Sequence, residues 1–178
     1  MTMDLRTAPL ADVRAQDLRA LGRDPWADEA AIWARLGDVL DQIPAADWDR
    51  PVAPSDGGGP PWSALDHVGH LAAWFDEGIA AIIRVLDGAA WPADDDYAGG
   101  DFDAFNETQR ATWAGDGAVE VRTHLDESRT RLVALARDLP LDVIRGDEAW
   151  GWIFGPLHEH ALEHLEVLEQ AAARAASG

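Results

Sequence analysis

The sequence predicts an all-α protein, an up-and-down four-helix bundle with a short extra helix near its N-terminus. Apolar residues recur at helical spacing over four long stretches, period-two alternation is nearly absent, and glycine and proline mark the breaks between the stretches. A chain of 178 residues that is 47% hydrophobic can bury a real core, and a single domain over residues 1–178 is expected. Four amphipathic helices bury their stripes most simply against one another.

The elements follow in order. Leu10, Val13, Leu18 and Leu21 form one side of a short helix over residues 10–21, with Gly22 as its stop. Asp24 and Pro25 then read as N-cap and first helical residue of a long helix. Its stripe is Trp26, Ala30, Trp33, Leu36, Leu40 and Ile43, and it stops near Pro44. Residues 49–61 hold three glycines and four prolines, which argues against a regular element there. Ser63, or the adjacent Pro60 and Pro61, opens the second long helix, with Val68, Leu71, Phe75, Ile79, Ile82 and Leu86 in register. Residues 87–100 read as a loop with an acidic tip at Asp94, Asp95 and Asp96. Residues 102–113 form a helical piece, interrupted at Gly115 and Gly117. The third long helix spans 118–139 and carries Val121, Leu125, Leu132, Leu135 and Leu139. Residues 140–156 read as a tryptophan-containing connection, and the last helix starts after Pro156 and runs toward Ala172.

Composition limits the function classes. Fourteen Lys and Arg against 33 Asp and Glu give a formal charge of −19. Such a surface repels phosphate backbones at long range, so nucleic acid is not an expected partner. Without cysteine, disulfides, thiolate metal sites and a cysteine nucleophile are all excluded. The first dozen residues contain Asp4, Arg6 and Asp12 with no apolar signal core, and no run approaches the roughly 18 apolar residues of a membrane span. A cytoplasmic protein without membrane association is expected, with a homodimer as the commonest closed assembly.

The histidines carry the chemical signal. His160 and His164 lie four apart, which on a helix places two imidazoles on one face about one turn apart, the geometry a metal ion requires from a single helix. Stepping about 100° per residue, both fall in an arc with Leu157, Ala161, Leu165, Val167, Leu168 and Ala171. Glu159, Glu163, Glu166 and Gln170 occupy the other side, and His158 is rotated away from the pair. Two core histidines bonded to carbonyls would be the ordinary alternative; ligand spacing on an inward face favours a metal. The third ligand must come from another helix. Helical position slightly prefers His67, amid Leu71, Trp74 and Val85, while His70 lies at the border of that arc. His124 reads as structural or surface.

These residues resemble the DinB/YfiT-like superfamily of metalloenzymes. Trp62, His70, Leu71 and Trp74 stand in its second-helix pattern Trp-x7-His-Leu-x-x-Trp, and His160, Glu163, His164 and Leu165 in its last-helix pattern His-x-x-Glu-His-Leu. Phe105 and Asn106 are similar to the Phe-Asn start of the third helical segment in the ClbS/DfsB-like branch, and maleylpyruvate isomerases form another branch. The resemblance runs from about Trp26 to Leu168. It implies one metal ligand from the second helix and two from the last, hence His70, His160 and His164. It also implies a divalent metal and a small electrophilic substrate; imidazole ligands suit zinc or nickel before iron. The chemistry would be thiol transfer or isomerisation with a low-molecular-weight thiol cosubstrate, or hydrolysis of reactive natural products. Ala161 stands where the family usually carries an aromatic residue.

Two other metal readings fail. An inverzincin would need a further glutamate ligand well downstream, and only fourteen residues follow His164. Di-iron bundles need Glu-x-x-His on two helices, and no histidine here has glutamate three residues before it. A non-catalytic bundle that sequesters a metal or small molecule stands beside the enzyme as the alternative. Nine tryptophans suit an aromatic-lined cavity in either case. Trp74, Glu77, Asn106, Arg110 and Trp152 are the candidate pocket residues, with Trp91 and Trp150 also placed at the mouth by their predicted loops.

Overall fold

In the computed structural model, residues 3–53, 61–93 and 101–176 are described. Helix α1 is Leu10–Arg14. It is shorter than the apolar spacing suggests, because Leu21 is 93% exposed and gives no buried stripe for a longer helix to follow. The chain instead turns through Gly22, whose φ of 93° suits a residue without a Cβ. Asp24 accepts from the backbone N–H groups of Trp26 and Ala27, and Pro25 takes the first position of α2, Pro25–Leu40.

A small hairpin follows where no regular element was expected. Strand β1, Pro51–Ala53, pairs antiparallel with β2, Trp62–Ser63. So short a ladder needs few backbone bonds and leaves the proline-rich residues outside it. Arg174 also donates to the carbonyl of Val52 at 2.7 Å. Helix α3, Ala64–Leu86, has Ser63 as its N-cap, the first of the two starts the sequence offers. Helix α4 is Phe102–Thr112 and α5 is Ala118–Arg137. The acidic tip at Asp94, Asp95 and Asp96 lies outside the described residues.

The largest departure from expectation is at residues 140–156. This stretch forms α6, Leu141–Ile144, and α7, Asp147–Phe154, which continues through a π-helical segment, Gly155–His160, into α8, Ala161–Ala176. Pro156 predicts a helix start because it lacks an N–H and crowds the preceding turn. The wider π turn accommodates it without breaking the rod. Burial of Trp150, Trp152, Ile153 and Phe154 supplies the driving force for helix upstream of it.

The result is an all-α bundle in which α3 packs along α5, α2 along α8, and α3 against α7, the π segment and α8. Leu36, Leu71, Phe75, Ile82, Leu125, Leu132, Ile153, Leu165 and Leu168 fill its centre. A bidentate pair crosses it, Arg129 donating to both carboxylate oxygens of the buried Glu29 at 2.7 Å, with the guanidinium over Trp33. Among the described residues no helix is long and apolar enough to cross a membrane.

One glycine controls how closely α3 meets the C-terminal rod. A Cβ on Gly78 would lie 2.6 Å from the Trp152 carbonyl oxygen and 3.2 Å from Leu132. The first contact is with backbone, which cannot rotate away. Gly78→Ala is therefore expected to destabilise the fold by about 1–3 kcal/mol in urea unfolding, the usual cost of overpacking. An unchanged midpoint would show that the two helices separate freely.

Candidate metal centre

The N-terminal end of α3 is held by a capping box. The Ser63 hydroxyl accepts from the Asp66 N–H at 3.2 Å, and Asp66 Oδ2 accepts from the Ser63 N–H at 2.8 Å. Arg110 of α4 binds the other oxygen of Asp66 at 3.0 Å. This anchored first turn carries His67, and His70 follows about one turn on. Trp62 lies edge-on to both rings, at 5.3 and 5.0 Å between centroids. From the facing rod, His160 arrives as the last residue of the π segment and His164 on the first turn of α8.

Three imidazoles converge. His160 Nε2 lies 2.8 Å from His70 Nε2 and 3.2 Å from His164 Nε2. One nitrogen from each of the three rings lies within 4.8 Å of the others. Nitrogens bound about 2.1 Å from one ion sit roughly 3.0–3.4 Å apart, so the spacing suits a shared cation. The hydrogen bonds on two of the rings say the same. Trp74 donates its indole N–H to His70 Nε2 at 3.1 Å, so that nitrogen is unprotonated, and its single lone pair serves this bond until an ion takes it. His160 Nδ1 faces Glu163 Oε2 at 3.3 Å, and a carboxylate there accepts an N–H, leaving the lone pair on His160 Nε2. Two lone pairs at 2.8 Å repel unless a proton or a metal cation lies between them. The donor set fits a divalent metal, and imidazole alone does not choose among zinc, nickel and iron.

His67 sits behind this group. Its Nδ1 meets His164 Nδ1 at 2.7 Å, on the opposite edge of that ring from the Nε2 facing His160. Burial shifts the protonation of several of these rings. Removal from water, reinforced by charge on His160 and His67, pushes His70 down to about 2. The same causes, with His70 added, hold His164 well below its ordinary value. His158, fully buried against Trp150 and Phe154, donates Nε2–H to the Pro25 carbonyl and is pushed down to about 4 by burial. The hydrogen bond from His160 holds the Glu163 carboxyl below the usual range.

A cavity of about 280 Å³ opens beside His160, lined also by Trp74, Gly151, Gly155, Pro156, Glu159 and Glu163. Trp74 reaches it from α3, packed against Phe102 and Phe105. The other candidate pocket residues lie elsewhere. Arg110 is committed to Asp66 and lines a separate cavity with Trp113 and Asp116. Trp152 is buried on α7 and donates to the Pro92 carbonyl at 2.8 Å; with Trp150, it is core rather than pocket mouth. Asn106 lies on α4 with a buried Oδ1 that has no partner among the described residues. Glu77 is half-buried on α3, its carboxyl raised by burial and by Asp76. His124 pairs with Asp76 at 2.8 Å. Glu159, Glu163 and the glycines of the rod were not expected to line the cavity, because an ideal α-helix puts both glutamates on the polar side and a predicted loop has no face.

The sequence profile of the DinB superfamily matches residues 30–168. The chain belongs to the DinB superfamily. Two solved structures share this DinB fold. An uncharacterised protein from Escherichia coli UTI89 superposes with a TM-score of 0.72 at 15% identity, covering 84% of this chain and 91% of the other. The colibactin self-resistance protein ClbS, in complex with double-stranded DNA, gives 0.64 at 15% identity, covering 85% and 91%. No curated protein matches the sequence. The ClbS complex overturns the exclusion of nucleic acid drawn from net charge. A charge of −19 is a sum over the whole molecule, whereas contact with DNA is made by one local surface, and a DinB-like fold is seen on a duplex.

The lowered histidines make the stability of the metal-free protein pH-dependent. The unfolded chain takes up protons near pH 6.5 while the folded rings resist, so stability is complete above that pH and is lost on acidification. The loss continues down to about 4 for His158 and about 2 for His70. Between pH 7 and 5 each of these two buried rings is expected to cost about 2 kcal/mol. Urea midpoints of metal-free protein at the two pH values check this, and a midpoint that does not fall contradicts it.

Proposed function

We propose that this chain is a divalent-metal-dependent enzyme that acts on a small electrophilic substrate, in detoxification or resistance to a reactive natural product. The observation that carries the reading is the convergence of His70, His160 and His164 nitrogens beside an open cavity. In this reading those three residues hold the ion, zinc or nickel before iron. The bound metal would supply Lewis acidity and a lowered pKa for water or for a thiol. With no cysteine in the chain, any thiol is a cosubstrate. The self-resistance role named for ClbS supports a protective function, as does membership of the DinB superfamily.

The protein's own groups prepare the site in stated ways. Glu163 holds the far nitrogen of His160, and the anchored start of α3 aims His70. Trp74 and Pro156 give the cavity apolar walls next to the ion site, and Glu159 adds a polar group at its lip. About 280 Å³ accommodates a small molecule. The fold over residues 1–178 is read as one DinB-like domain.

Replacing both His160 and His164 with alanine is expected to abolish stoichiometric divalent metal in elemental analysis and to leave the circular dichroism spectrum helical. Metal retained by the double variant would refute the site. Turnover of a panel of electrophiles, with water or thiol as nucleophile, is expected to depend on added metal. Binding without turnover across the panel would support a sequestering protein instead.

A further inference from the structure

We infer that His67 is a positioning residue that accepts the Nδ1–H of His164 and so turns the Nε2 lone pair of that ring toward His70 and His160. The inference rests on the metal-site reading above and adds a residue to it.

The geometry separates the two edges of His164. One edge, Nε2, faces His160 Nε2 at 3.2 Å. The other, Nδ1, faces His67 Nδ1 at 2.7 Å, the shortest contact any of the four rings makes with another. A neutral imidazole carries one N–H and one lone pair, so the bond between the two Nδ1 atoms requires one ring to donate and the other to accept. If His164 donates, its Nε2 lone pair joins those already assigned to His70 and His160, and all three point at one place. If His67 donates instead, His164 carries its proton on Nε2, which is aimed into the ligand group and blocks it. A working site therefore requires His67 to accept.

The surroundings hold His67 to that task. The ring is buried and lies edge-on to Trp62, whose position is set by the β hairpin. His67 is on the first turn of α3, the turn fixed by the capping box. It cannot serve as a fourth ligand from there, because the His164 ring stands between its Nδ1 and the Nε2 group. The braces of the three ligand rings are unequal. His160 has the longer bond to Glu163, and buried His70 Nδ1 has no partner among the described residues.

The test compares wild type with His67→Phe, which keeps a ring of similar size without an acceptor, and His67→Gln, which restores an acceptor oxygen. Zinc and nickel affinities by competition with a chromophoric chelator are the first readout. His67→Phe is expected to bind 10–100-fold more weakly, and His67→Gln to recover most of the loss, as for other residues that orient metal-bound imidazoles. The second readout is independent of affinity: long-range proton–nitrogen NMR of zinc-loaded 15N-histidine protein reports which nitrogen of His67 is protonated. Wild type is expected to show His67 protonated on Nε2, with Nδ1 accepting from His164. Affinity of His67→Phe within about threefold of wild type overturns the inference, and so does a zinc-loaded wild type in which His67 is protonated on Nδ1. If His67→Phe does not fold, the wild-type spectrum still decides. Failure of wild type to bind either metal refutes the metal-site reading itself, a result distinct from wild-type binding with an indifferent His67.

Discussion

The structure depends on how closely α3 approaches the long C-terminal rod. At Gly78 the absence of a side chain lets the helix meet the Trp152 carbonyl, with room for one hydrogen atom and not for a methyl group. That contact sets the separation of two helices which carry every imidazole of the candidate site. Further along α3, His70 and His67 meet His160 and His164 at 2.7–2.8 Å. Such short contacts between rings on separate helices require the helix axes to be fixed to within a fraction of an ångström, and close packing provides that rigidity.

The same approach has an electrostatic cost. It buries imidazoles against one another and drives two of the clustered rings, His70 and His164, toward their neutral forms. Neutral rings with lone pairs facing inward are poor neighbours without a cation, and good ligands with one. The fold therefore holds a cluster that is unfavourable by itself and that a divalent ion would relieve. Glu163 and His67 sit on the outer edges of two of these rings, where a hydrogen bond sets the tautomer without competing for the ion.

Belonging to the DinB superfamily accounts for the bundle and leaves the substrate to the cavity. At 15% identity the two solved relatives share the fold, and side-chain detail must come from this chain alone. Here the cavity beside His160 is bounded by Trp74, two glycines, a proline and two glutamates. The glycines and the proline belong to the stretch where the rod changes from α to π and back. A widened turn thus does two things, carrying the helix through Pro156 and forming the cavity wall next to a candidate ligand.

Local chemistry determined much of this from sequence. Asp24 with Pro25 specifies the start of α2 through bonds made within a few residues, so it was legible without a fold, and Ser63 was legible as one of two starts for α3 before Asp66 completed its capping box. The four-residue spacing of His160 and His164 likewise survives the change of helix type. Other features are products of tertiary burial and were not legible. Residues 140–156 read as a connection because proline and glycine penalise an isolated helix, and they fold as helix because Trp150, Trp152 and Phe154 are buried in the core. Helical periodicity could not separate His67 from His70, since the two sit on neighbouring parts of one helix face. The resemblance to the DinB/YfiT-like pattern favoured His70 by its spacing from Trp62, and the facing rod then placed His160 Nε2 against His70 and the outer edge of His164 against His67. Sequence alone thus determined the bundle and the paired histidines of its last helix, because both arise from spacing along one helix. Tertiary packing decided how His70 and His67 meet them and what lines the cavity, because those contacts join distant parts of the chain, 90 or more positions apart for the histidines.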